Sequence, residues 1–140
     1  MVDCENDTVN TLGSLETSVT LTTPDDIGAL TAEIVFFEPR LRNQIVYLSG
    51  DTVTYAEVAS LLERVLGRPF KRNVWTVPYL LQPLQKDPTH HINKYRAVFD
   101  QGRGVAWPKA GTFNAQQSIQ VTTAEKWARA NLSTPSAHVQ

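Results

Sequence analysis

The sequence holds one cysteine, Cys4, in 140 residues, so no internal disulfide can form and the chain reads as cytoplasmic rather than secreted. Charge of one sign is also lacking. Thirteen basic and 14 acidic side chains leave a net charge of -1, too weak a field to draw polyphosphate or an anionic bilayer, so neither nucleic acid nor membrane is an expected partner. No apolar run approaches the roughly 18 residues of a membrane span, and Asp3, Glu5 and Asp7 do not read as part of a secretory leader. The motifs that would announce a reaction are equally scarce. Gly102 and Gly104 form a G-x-G, but Trp107 stands where a dinucleotide fingerprint has its third glycine, and no strand immediately precedes it. There is no P-loop, no G-x-S-x-G elbow and no Tyr-x-x-x-Lys pair.

What the sequence does have is the patterning of one soluble domain, with 41% hydrophobic and 19% charged residues. Residues 1 to 16 are mostly polar, with Gly13 and Ser14 as a turn signal, and Ser18 to Leu21 alternates like a short strand. Thr23 is placed to cap a helix that opens on Pro24, with Asp25 and Asp26 in the first turn, where the helix dipole favours negative charge. Its apolar stripe is Ile27, Leu30, Ile34 and Phe37, and Pro39 marks the stop. Asn43 to Gly50 reads as a short apolar strand. The spacing of Thr54 and Glu57 predicts a capping box, and Val58, Leu61, Leu62, Val65 and Leu66 predict a helical stripe, ended by Gly67 and Pro69.

Phe70 to Val77 has the composition of an edge or half-exposed strand. Pro78 opens a segment, Tyr79 to Lys86, expected to break or bend at Pro83. A helix is expected after Pro88, with Ile92, Tyr95, Val98 and Phe99 on one face and Gly102 beyond its end. Gly102 to Gln117 reads as a long loop. Thr122 and Glu125 give a second capping-box spacing before a helix carrying Trp127 and Leu132, and residues 133–140 have the composition of a flexible tail.

Few residues are candidates for chemistry. His90 and His91 are adjacent, which on a helix turns them about 100° apart, so they read as a solvated or capping pair rather than metal ligands. His138 falls in the tail. Asp25, Asp26 and Glu57 are accounted for by helix starts, so no catalytic, cofactor-binding or metal-ligating residue is assigned. Aromatics remain: Trp75, Tyr79, Tyr95, Phe99, Trp107 and Phe113 crowd one third of the chain. They read either as core or as the wall of a hollow for a small aromatic ligand, with Tyr79, His91, Tyr95, Trp107 and Phe113 as its lining.

In their order along the chain, "VTLTTPDDIGALTAEIV", "NQIVYLSGDTVTYAEVASLLERVLGRPFKRNVWTV", "KYRAVFDQGRGVAW", "TFNAQQ" and "VTTAEKWARANL" resemble the C-terminal half of NmrA-like, isoflavone-reductase-like proteins, which are atypical short-chain dehydrogenases. The resemblance runs from about Val19 to Leu132. It implies an α/β fold: a late Rossmann strand-helix segment over residues 1–38, a small α/β substrate-binding domain over 39–132, and the tail over 133–140. The helix of residues 54 to 66 would then pack in the smaller domain beside a strand at Ile45 to Leu48.

The glycine-rich turn, the NADP-binding loops and the reductases' catalytic lysine belong to the family's N-terminal half, which has no counterpart in these residues. The resemblance therefore implies a substrate-domain fragment of an NAD(P)-dependent oxidoreductase that needs NADP(H) in longer relatives and neither binds it nor transfers hydride alone. Two further readings stay open: a non-catalytic small-molecule or protein-binding module of the NmrA regulator type, and a structural subunit completing a Rossmann-containing partner. Ile27, Leu30 and Ile34 would be exposed in an isolated fragment, so marginal stability or self-association is also expected.

Overall fold

The computed structural model describes residues 2–99 and 105–132. The expected helix stop at Gly102, the G-x-G loop, His138 and the tail of residues 133–140 lie outside the described residues. The chain forms an α/β fold with two small sheets. The first joins β1 (Val2–Asp3), β2 (Thr8–Leu12) and β5 (Lys71–Trp75) in the order β1-β2-β5, with β1 antiparallel and β5 parallel to the central β2. The second pairs β3 (Ser18–Leu21) with β4 (Asp51–Thr54), antiparallel, in a register that sets Leu21 opposite Asp51. Both sheets thus pair strands across residue 38.

The central strand β2 is the element that the polar look of residues 1 to 16 conceals. Val9, Thr11 and Leu12 are buried, because a strand hydrogen-bonded on both sides can bury threonine methyls as readily as valine. The turn into it is built by Asp3, whose carboxylate accepts the amides of Glu5 and Asn6. β5 lies at a sheet edge, as its composition predicts.

The helix α1 (Pro24–Val35) starts as expected: the Thr23 hydroxyl accepts the Asp26 amide and Pro24 opens the first turn. Of its stripe, only Leu30 is fully buried, and Ile27 is exposed. α2 (Tyr55–Leu66) has the capping box of Thr54 and Glu57 and ends on Gly67 at φ 68°, the left-handed conformation that glycine adopts without a Cβ penalty. Its Leu61 and Leu62 join Val9, Leu12, Val19, Phe70 and Ala128 in the core. Glu63 ties the helix to β5, accepting the Phe70 amide and both terminal nitrogens of Arg72. The strand expected at Ile45 to Leu48 is not formed; α2 packs instead on β2, β4 and β5. Ile45 is 78% exposed, and the carbonyls of Tyr47 and Leu48 are satisfied by the Phe113 amide and the Trp107 indole rather than by a ladder.

α3 (Val77–Lys86) runs through Pro83, where a break or bend was expected; the Pro83 carbonyl still accepts the Asp87 amide. α4 (His91–Phe99) forms where expected, but its buried residue is Ala97, while Ile92, Tyr95 and Val98 are exposed. The expected loop contains a 3-10 turn (Lys109–Gly111) and the short helix α5 (Phe113–Gln116). Last comes α6 (Ala124–Leu132), beside α2. Its cap is Thr123, which accepts the Lys126 amide, and not the expected Thr122 and Glu125 box. No helix among the described residues is long and apolar enough to cross a membrane.

Candidate functional site

An apolar hollow of about 490 Å³ lies between α2, α6 and the edge formed by β1 and the end of β3. Val58, Leu61 and Leu62 of α2 form its floor, because one face of that amphipathic helix exceeds what the sheet can cover. Ala124, Trp127, Ala128 and Leu132 of α6 supply one wall, and Val2, Cys4, Leu21 and Pro24 the other. Threonines complete the rim: Thr22 and Thr23 from the β3–α1 junction, and Thr122 and Thr123 from the entry to α6.

Carboxylates hold α6 in position to form that wall. Asp26 Oδ2 accepts the Thr122 amide at 2.9 Å, and Asp51 Oδ2 accepts the Ala124 amide at 3.2 Å while its other oxygen faces Lys109 Nζ at 3.4 Å. Burial opposes ionisation of Asp26, yet the hydrogen bonds from Thr122 and Thr23 outweigh it and hold the carboxyl below its usual range. On the outer side, Glu125 accepts Arg129 at 2.6 Å and Arg64 at 3.0 Å, and these two guanidinium groups lower its pKa. Gly50 lies against the same junction, its amide donating to Thr22 Oγ1.

A second hollow of about 320 Å³ adjoins the first and shares Val2, Leu21 and Val58 with it. Leu12, Val19 and Tyr55 form its base, and Ile92, Tyr95, Arg96 and Phe99 of α4 its far side. Burial pushes the Tyr55 phenol above its ordinary pKa, so the group stays protonated at neutral pH. The Arg96 guanidinium lies 5.1 Å from the centre of the Trp75 ring, and its Nε is buried without a hydrogen-bond partner.

The five residues expected to line a pocket fall in separate places. Tyr95 lines the second hollow, although 66% exposed. Tyr79 is exposed on α3 with its ring 5.9 Å from Trp75. His91 stacks on His90 at 5.7 Å, and His90 Nδ1 accepts the Asn93 amide, the capping role expected of that pair. Trp107 and Phe113 meet at Tyr47: the Trp107 ring lies 5.0 Å from Tyr47, and the Phe113 amide donates to the Tyr47 carbonyl. Among the described residues no group of three or more His, Cys, Asp and Glu is placed to hold a metal. The α2 and α6 residues of the first hollow were missed as site residues because a helical stripe of Val, Leu and Ala reads equally well as core.

No protein-family profile matches the chain. A curated protein described as an NmrA-like family domain-containing oxidoreductase, from Gibberella moniliformis (strain M3125 / FGSC 7600), is 36% identical over 123 residues, 87% of this chain and 40% of that protein. The chain therefore spans less than half the length of the relative it matches, and over 87% of its own length it is similar in sequence to that protein.

Proposed function

We propose that this chain is the substrate-recognising portion of an NmrA-like NAD(P)-dependent oxidoreductase, contributing an apolar binding surface and no nicotinamide site of its own. The observation that carries this reading is the 490 Å³ hollow, apolar in its floor and walls and rimmed by hydroxyls, which is the composition of sites that take small, mostly apolar molecules out of water. The 36% identity to an oxidoreductase supports the family context.

The starts of α1, α2 and α6 do not fit a dinucleotide. A pyrophosphate needs free amides at a helix N-terminus, approached closely by a glycine-rich turn. α1 opens on Asp25 and Asp26, α2 sets the Glu57 carboxylate at its first turn, and the first amide of α6 is taken by Asp51. Each places negative charge where a phosphate would lie. Calorimetric titration of NADPH into the chain is therefore expected to give no binding heat, and micromolar affinity would overturn the proposal. Small uncharged aromatic compounds are expected to raise the melting temperature, since a ligand at 100 times its dissociation constant stabilises the folded state by about 2.7 kcal/mol.

A second reading, a protein-contact role, rests on a different face. Ile27 and Val35 of α1 are exposed, as are Phe36 at 82% and Ile45 beyond it. Exposed apolar side chains along this segment fit a second copy or a Rossmann-containing partner. A monomer that resists concentration in light scattering, and binds no such partner, would remove this reading.

A further inference from the structure

We infer that the two hollows are lobes of one elongated site whose ligand is uncharged and mainly apolar, with a hydrogen-bond acceptor at its threonine end; this rests on the ligand-binding reading above. The two hollows abut: Val2, Leu21 and Val58 line both, so only these three side chains stand between the α6 side and the α4 side. A molecule filling both must be longer than a single ring.

Charge is decided by what the walls lack. Among the described residues no ionised side chain lines the first lobe, and burying an ion without a counter-charge is strongly unfavourable. Among them the cationic side chain of the second lobe, Arg96, is drawn onto the Trp75 ring. Polarity at the other end is specific in sense. Thr22 Oγ1 accepts the Gly50 amide and Thr123 Oγ1 accepts the Lys126 amide, which leaves each hydroxyl hydrogen to donate. A ligand carbonyl, ether or hydroxyl oxygen satisfies them.

The test uses the full chain and two probes with the same two-ring-system skeleton. N-phenyl-1-naphthylamine is neutral, and 8-anilinonaphthalene-1-sulfonate adds a sulfonate. Cys4 lines the first lobe and is the sole cysteine, so its alkylation by iodoacetamide, followed by mass spectrometry, reports occupancy without any mutation. The neutral probe is expected to bind saturably and slow Cys4 alkylation, and the sulfonate to bind at least about tenfold more weakly. Leu21→Trp, at a position 41% exposed and so able to accept bulk, and Val58→Trp are each expected to abolish that protection, with folding checked by circular dichroism. Tyr95→Asp, in the far lobe, is expected to weaken binding and reduce protection of Cys4 in the near one.

Equal affinity for the two probes, or Cys4 protection indifferent to Tyr95→Asp, overturns the inference while leaving the ligand-binding reading intact. Binding of neither probe removes both. Protection of Cys4 that appears without any probe and fades on dilution means that a second copy covers the hollow, which also overturns the inference.

Discussion

Replacing Gly50 by alanine tests how closely the hollow's two walls are joined. A Cβ at this position would lie 2.7 Å from the Thr122 carbonyl oxygen and 2.8 Å from that of Leu21. Comfortable contacts with carbon begin near 3.4 Å, so each neighbour must retreat by roughly 0.6 Å. Neither can do so by rotating a side chain, because both are backbone atoms: one ends β3, the other enters α6. Overpacking of this kind costs about 1–3 kcal/mol. Against it stands the smaller entropy of an unfolded chain with one glycine fewer, worth about 0.4–1 kcal/mol in favour of the variant. The clash wins, leaving a net loss of about 1–2 kcal/mol and a melting temperature lower by roughly 3–8 °C in circular dichroism. Gly28→Ala is the matched control. It sits exposed in α1 with nothing within 4 Å of the added carbon, so the identical chemical change should stabilise, by about 0.5–1 kcal/mol. If the two variants shift the melting temperature in the same direction, the close approach at Gly50 is not what holds the junction.

Asn114 is buried with its amide oxygen accepting the Ser49 amide and its nitrogen donating to the Ser49 carbonyl, so Asn114→Ala strands two buried backbone groups and should cost about 2–4 kcal/mol in urea unfolding. Thr54→Ala removes one side of the α2 capping box and should cost about 1 kcal/mol, with the loss recovered by Thr54→Ser. Asp26 has a folded-state pKa below its unfolded one, so its contribution is fully present above the ordinary carboxyl range and is lost as pH falls through the folded value; Asp26→Asn should lower stability at pH 7 and flatten the acid limb of the stability profile. Asp26→Asn and Gly50→Ala act on the same residue, Thr122, so a double variant should depart from additivity by at least about 0.5 kcal/mol.

Helix ends were legible in the sequence because their determinants are local. Thr54, Glu57 and Gly67 fix both ends of α2 within a span of fourteen residues, and Thr23 and Pro24 do the same for the start of α1. Strands were legible only in part. "NQIVYL" has the composition of one, but its carbonyls are claimed by Trp107 and Phe113 from far along the chain, a competition that no local pattern records. β2 went unread for the opposite reason, since its threonines look like loop until a central position buries them. The site was least legible of all. Its floor and walls come from β1, β3, α2, α6 and the loops between them, and each contributing stripe is indistinguishable in sequence from ordinary core.

The acidic residues show how helix starts and site geometry are connected. Read in sequence, Asp26 belongs to the first turn of α1 and nothing more. In the fold its Oδ2 accepts both the Thr23 hydroxyl and the Thr122 amide, so the same carboxylate that starts α1 also positions α6. Asp51, at the first residue of β4, does likewise for Ala124. A short helix such as α6 has little intrinsic stability, and two charge-assisted hydrogen bonds at its entry fix its position more firmly than its own propensity could. Those bonds therefore set the width of the hollow. They also give the acidic groups around its entry a structural task.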